Sequence, residues 1–321
     1  MATYYGTYGQ KVQYLASDPS DPQTGQVWYN STSAVLKVRS VTTSSAWAAG
    51  GNLNTARTEI AGAGNGTQTE GLAFGGRVST TPQSATEEYN GTAWSNESPL
   101  ATARRFIGGA GTQTAGLGFG GGFVPMVISN TEEYNGTSWT AGGAMGTGRF
   151  GAGGAGIQTA ALAVGGDPGP SAITATEEYD GTSWSAGGNL ANARYSMGTC
   201  GSQTAALAAG GTSPTTGSEE YNGTSWSTGG TMNTGREGPG AAGIQTAALI
   251  FGGGPITAAT ETYNGTSWTA DTSMNTARSG VGGAGTQPSA LAYGGGNPGA
   301  LANTEEYNGA GTPTTKTVTV S

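Results

Sequence analysis

The chain has 321 residues, with 61 glycines, a net charge of −8, one cysteine and no histidine. Glycine at this level without a Gly-X-Y period excludes collagen, and seven Trp with thirteen Tyr are more aromatic residues than a disordered chain needs. The acidic balance, with no Lys/Arg stripe, excludes a nucleic-acid partner. The single Cys200 excludes an internal disulfide, and the lack of His removes the commonest general base and metal ligand.

The first residues, MATYYGTYGQKVQYL, contain no apolar run behind a basic start, so no secretory signal is expected. No apolar run is long enough to cross a bilayer. The stretch "DPSDPQTGQVWYNSTSAVLKV" from Asp18 reads as a β-hairpin, and residues 1–46 are expected to form a small N-terminal segment. From residue 47 to 321 a repeat takes over, with arginines spaced 42 to 47 residues apart at Arg57, Arg104, Arg149, Arg194, Arg236 and Arg278.

The consensus after the arginines is a Gly/Ala-rich stretch, Gln-Thr, an apolar triplet, Gly-Gly, a variable loop, Glu-Glu-Tyr, Asn-Gly-Thr and Trp, and the last unit lacks the Trp after Tyr307. A period of this length suits four short strands, one propeller blade. "RFGAGGAG" (149–156) is small enough for an innermost strand, and "QTAALAVGG" (158–166) is an apolar second strand ending where the backbone needs close approach or positive φ. In "TEEY" (131–134) Glu132 and Tyr134 share one face and Glu133 takes the other. Asn135-Gly136 is a two-residue hairpin turn leading to a fourth strand at Trp139. Asn-Gly-Thr is also a glycosylation sequon, but one unit has Asp180-Gly181-Thr182, which keeps the turn and loses the acceptor. The repeated nonapeptide is therefore architecture. The expected fold is all-β, a propeller of six blades, with seven as the alternative should the N-terminal hairpin begin a partial blade.

The order Gly-Gly, Tyr, Trp, Arg resembles the kelch repeat over residues 47 to 307. Its Gly/Ala-rich first strand and near-identical units depart from better-known kelch domains. Residues 18 to 47 resemble the Gly-x-hydrophobic-Trp-Tyr-Asn hairpin near the start of many bacteriophage tail and fibre proteins, although Arg39 to Trp47 stands where those proteins often have Tyr-Asp-Gly-Thr-x-Trp. The near-identical units also look like those of phage-encoded repeat proteins. These resemblances imply a non-enzymatic virion protein, assembled in the host cytoplasm and attached to other virion proteins through residues 1–40. Its variable loops would be presented to a host-surface glycan or a neighbouring virion protein, either alone or as a homo-oligomer. The runner-up is a cytoplasmic kelch adaptor with a protein partner. A carboxylate-based glycoside hydrolase is the remote third.

The copper site of galactose-oxidase-type propellers needs two His and cannot be assembled here, and no cofactor or metal is expected. Cys200 stands where other units carry Ala or Gly and reads as a buried small residue. The paired glutamates are adjacent in a strand and point to opposite faces, which does not suit acid–base catalysis. The first of each pair, Glu87, Glu132, Glu177, Glu219, Glu261 and Glu305, is expected to bridge the repeat arginines. The loops between second and third strands differ in every unit, from drift or from selection for binding. Within them Phe123, Val124, Met126, Val127 and Ile128 form an apolar cluster. Asp167 and Asn297, read as lying in neighbouring loops, are candidate polar ligands for a sugar. Thr315 to Val320 is expected to supply the outer strand of the last blade, with Trp47 competing for that slot.

Overall fold

The computed structural model describes residues 12–22, 25–41, 44–123, 126–213, 215–311 and 313–318. They are all-β, without a helix, and fall into two compact units, Ala46–Tyr307 and Met1–Ser45 with Asn308–Ser321.

The larger unit is built of repeated four-stranded antiparallel sheets, blade-like and compatible with a β-propeller; six are found among the described residues. The third is representative: Gly153–Ile157, Ala160–Val164, Thr176–Tyr179 and Trp184–Ala186 lie side by side in chain order. Register places Ala161 opposite Tyr179, and Tyr179 opposite Trp184. The first strands of successive sheets pack on one another, and that of the sixth, Gly282–Thr286, packs on that of the first, Ala61–Gly62. The approach is close: a Cβ on Gly154 would lie 2.1 Å from the carbonyl oxygen of Gly109 in the preceding sheet. Only glycine allows that contact, which explains the small residues of "RFGAGGAG".

Three side-chain bonds join each sheet to its neighbour. The Tyr that ends each third strand donates its hydroxyl to a carboxylate of the preceding sheet, as Tyr134 does to Glu88 at 2.9 Å, and Tyr89 to Glu306 of the sixth sheet at 2.7 Å. Each Trp indole N–H reaches a Thr or Ser hydroxyl of the preceding sheet, for example Trp139 to Thr86 and Trp94 to Thr304. Each Gln amide between first and second strands donates to two carbonyls of the preceding sheet, Gln158 to Gly116 and Tyr134, Gln68 to Ala290 and Tyr307. The one Thr in the second Glu position, Thr262, has a side chain shorter than glutamate and no carboxylate to offer Tyr307. Asp271, on the neighbouring fourth strand, accepts the bond instead at 2.7 Å.

Inside every unit the repeat Arg is buried and meets the first Glu of its own third strand. Nη2 of Arg57 lies 2.7 Å from Glu87 Oε1, and Nη2 of Arg149 lies 2.8 Å from Glu177 Oε1. Arg104–Glu132, Arg194–Glu219, Arg236–Glu261 and Arg278–Glu305 repeat the pair. Nη1 donates to backbone carbonyls, as Arg104 does to Gly120 and Asn130, while Glu132 Oε2 also accepts the N–H of Ala101. Burial pulls each guanidinium's pKa down and the facing carboxylate opposes it.

The sixth sheet takes its outer strand from Ala46–Ala49, not from the C-terminus. Trp47 makes the bond its counterparts make, to Thr260 at 3.1 Å, and packs against Tyr307. Thr315 and its neighbours instead belong to the smaller unit, where Pro313–Val318 pairs antiparallel with Val35–Val41; Val320 lies outside the described residues. The expected boundary, with everything after residue 46 in the repeat unit, is thereby corrected: residues 308–318 group with the N-terminal segment. Trp47 wins because the slot requires an indole donor and a flat ring over Tyr307, and the C-terminal strand has neither.

The smaller unit is the hairpin Val27–Asn30 with Val35–Val41, flanked by Pro313–Val318 and by Gln13–Leu15, the last pairing parallel. Asp18 organises it, accepting from Lys37 Nζ at 2.6 Å, Asn30 Nδ2 at 2.7 Å and Trp28 Nε1 at 3.0 Å. Those donors, Lys37 first, pull the Asp18 carboxyl down to about 2.

Two outcomes follow from these contacts. Arg149→Ala strands the buried Glu177 carboxylate and should cost about 3–5 kcal/mol in chemical denaturation. Because the Asp18 pKa is depressed in the folded chain, its contribution is complete above the ordinary carboxylate range and disappears as pH falls through about 2. The Trp28 indole N–H resonance should therefore hold its position at pH 4 and move only near pH 2.

Candidate functional site

Each connection from a fourth strand to the next first strand passes through the repeat Arg and then a bend. Two residues after each Arg the backbone turns left-handed, at Glu59, Phe106, Gly151, Ser196, Gly238 and Gly280, with φ between 52° and 65°. Each of these residues donates its N–H to the carbonyl of the corresponding residue one sheet back. Phe106 bonds to Glu59, Gly151 to Phe106, Ser196 to Gly151, Gly238 to Ser196, Gly280 to Gly238, and Glu59 to Gly280, at 2.7 to 3.3 Å. The result is a ring of six backbone hydrogen bonds. Three glycines accept the left-handed conformation freely; Glu59, Phe106 and Ser196 adopt it against steric cost.

The residue directly after each Arg forms a second circle outside the first: Thr58, Arg105, Phe150, Tyr195, Glu237 and Ser279. Five of them bridge to the start of their own variable loop, as Phe150 does to Asp167, and Tyr195 exchanges bonds with Thr212. The variable loops and the bends therefore share one end of the sheets. At that end the side chains do not repeat. Phe106, Phe150 and Tyr195 run as an aromatic arc with ring centroids 5.7 and 5.4 Å apart, and Arg105 lies over Phe106. Glu59 is held by Arg77 at 2.7 Å and Arg105 at 3.4 Å.

Beside the arc, and sharing Phe106 with it, is a hollow of about 260 Å³ bounded by Glu59, Arg77, Phe106, Ser196, Glu237 and Ile256, among others. Burial alone raises the Glu237 carboxyl's pKa, and its side chain has no hydrogen-bond or ion-pair partner among the described residues. Ser196 Oγ is closed off from solvent and likewise has no partner among them. A second cavity, about 140 Å³, continues below the ring between the Gly-rich first strands. Near its far end the first unit carries two extra residues, Asn65-Gly66, and Asn65 reaches across to the carbonyls of Gly111 and Gly156.

The candidates from the sequence sit at the same end but away from the hollow. Met126 is 55% exposed on a short hairpin, Gly122–Phe123 with Met126–Val127, and Ile128 is half-buried. Val124 and the Phe123 side chain lie outside the described residues. Asp167 and Asn297 are in the loops of the third and sixth sheets, which are not neighbours, and both are engaged locally, Asp167 with Gly169 N–H and Asn297 with the Ala277 carbonyl. The structure does not bring these five residues together. The residues it does bring together follow the arginines, inside a stretch that reads as uniformly Gly/Ala-rich. Their signal was available: the two positions after each Arg read Thr-Glu, Arg-Phe, Phe-Gly, Tyr-Ser, Glu-Gly and Ser-Gly, changing chemistry from unit to unit while the Arg before them repeats.

Cys200 packs in the interior beside Leu207, and burial pushes its thiol up to about 12, which suits a small core residue. Among the described residues no group of His, Cys, Asp and Glu has the arrangement of a metal site.

Ser196→Gly should raise stability by about 1 kcal/mol, since it removes a left-handed non-glycine residue and keeps both ring bonds. Thermal unfolding checks the sign.

No protein-family model matches the chain, and no curated protein matches it. Among solved structures it is similar to YjhT, at 13% identity and a TM-score of 0.65, over 79% of this chain and 95% of that one. At that identity the likeness speaks to the fold alone.

Proposed function

We propose that this chain is a non-enzymatic binding protein. In this reading six kelch-like blades close into a propeller, and the end bearing the variable loops recognises a ligand. Closure is supported by the bonds that return from the first sheet to the sixth: Tyr89 to Glu306, Trp94 to Thr304, Gln68 to Tyr307 and Glu59 to Gly280. The observation that carries binding is the contrast between a scaffold bonded alike in every unit and a mouth whose side chains are all different. Evolutionary drift would scatter differences over the loops. Here they gather into an aromatic arc, a Glu59–Arg77–Arg105 cluster and a hollow.

Hydrolysis by paired carboxylates is disfavoured, because Glu59 is committed to two arginines and leaves Glu237 as the uncommitted acid of the hollow. The ligand proposed is a host-surface glycan, and the setting a phage virion, by the resemblance of residues 18 to 47 and of the repeats to tail and fibre proteins. Residues 1–40 would then attach the chain to other virion proteins.

The purified full-length chain, applied to an array of bacterial surface polysaccharides, should retain a defined subset of glycans. Phe150→Ser with Tyr195→Ser should weaken that retention tenfold or more without changing the melting temperature. Undiminished binding by this variant, or a footprint confined to the Gln-Thr and Asn-Gly turns, would reverse the assignment of the face.

A further inference from the structure

The hollow beside the ring has the dimensions and chemistry of a site narrower than a whole glycan. We propose that it takes a single uncharged pyranose ring, with Glu237 accepting hydrogen bonds from adjacent sugar hydroxyls and Phe106 covering an apolar face of the ring. The proposal rests on the binding reading given above.

Size comes first. At about 260 Å³ the hollow lies just under the usual small-molecule range of roughly 300–1,000 Å³, so it admits one ring and not a chain laid lengthwise. Its lining is mixed in character, with Phe106, Ile256 and Pro298 apolar and Glu59, Arg77 and Glu237 charged. A pyranose presents the same mixture, with C–H faces above and below and hydroxyls around its edge.

The unanswered polar groups point the same way. Buried polar atoms cost free energy unless they are hydrogen-bonded. Glu237 is only partly accessible and has no side-chain partner among the described residues, and Ser196 Oγ is closed off without one. A vicinal pair of hydroxyls supplies two donors to one carboxylate. Charge then selects among sugars. Glu59 is shared between Arg77 and Arg105, so that cluster keeps one positive charge, which Glu237 balances across the hollow. A balanced site suits an uncharged ring, and a carboxylated sugar would place an unmatched anion beside Glu237 and bind more weakly. The left-handed backbone at Phe106 is the cost of setting that side chain against the hollow.

The test uses the full-length chain and the methyl glycosides of galactose, glucose, N-acetylglucosamine and glucuronic acid, titrated by calorimetry and saturation-transfer NMR. At least one neutral glycoside should bind in the millimolar range, and methyl glucuronide at least tenfold more weakly. Glu237→Ala should weaken the neutral ligand tenfold or more, Glu237→Gln less, with unchanged melting temperatures. Failure of every neutral glycoside to bind, or equal binding by Glu237→Ala, overturns the subsite. If the array still retains glycans in that case, the subsite falls and the binding reading stands; if the array is blank too, both fall. Glu237-dependent capture of a lysine-bearing peptide with no sugar binding would also overturn it, in favour of a protein partner.

Discussion

Six guanidinium groups sit inside this protein out of reach of water, and the rest of the chain is arranged to meet them. A buried ion pair is a weak source of net stability, because desolvation consumes most of its Coulomb energy. What it supplies here is register. The Arg side chain fixes its bend against the third strand of its own sheet, through Glu and two carbonyls. Its backbone carbonyl meanwhile accepts the N–H of the second glycine of the preceding sheet, as Arg104 does from Gly76 at 3.0 Å. The first glycine of that pair must be glycine because a Cβ on Gly75 would come within 2.8 Å of the same carbonyl. One residue type thus ties side chain to sheet and backbone to neighbour, and two residues later the chain enters the ring of hydrogen bonds.

That arrangement separates two tasks. Tyr, Trp, Gln, Arg and Gly-Gly carry the structure, so the residue after each Arg is free to vary without loosening a sheet. The mouth can therefore hold an aromatic arc and a carboxylate with no direct partner among the described residues while the first strands beneath stay Gly-rich and tightly apposed. Backbone strain is present there too: the three ring positions with side chains, Glu59, Phe106 and Ser196, are left-handed and all line the hollow, together with Gly238 and Gly280.

Much of the larger unit could be read from the sequence because its bonds repeat. One Arg and one leading Glu per unit imply a pair, Asp180 in place of Asn identifies a turn, and the glycine pairs mark close approach. The departures came where a bond is not local in sequence. The alternating run Thr315 to Val320 follows Tyr307 directly and so suggested the last outer strand, yet the slot is defined by an indole donor, and Trp47 was the sixth Trp matching six tyrosines. Asp271 standing in for Glu at Thr262 requires knowing the register between third and fourth strands. The hollow was hidden for another reason. Its residues are scattered singly along the chain, and only the ring brings them to one mouth, whereas the Phe123 to Ile128 run advertised itself by hydropathy alone.

The dependence of the mouth on the ring can be measured residue by residue through native-state hydrogen exchange at Glu59, Phe106, Gly151, Ser196, Gly238 and Gly280. If the bends are locked into one cycle by the buried arginines, all six amides should exchange at a common slow rate set by cooperative unfolding, and Arg149→Ala should speed them together. Exchange of the Glu59 amide at the rate of an exposed turn, with the other five protected, would mean that the cycle is open where the sixth sheet meets the first.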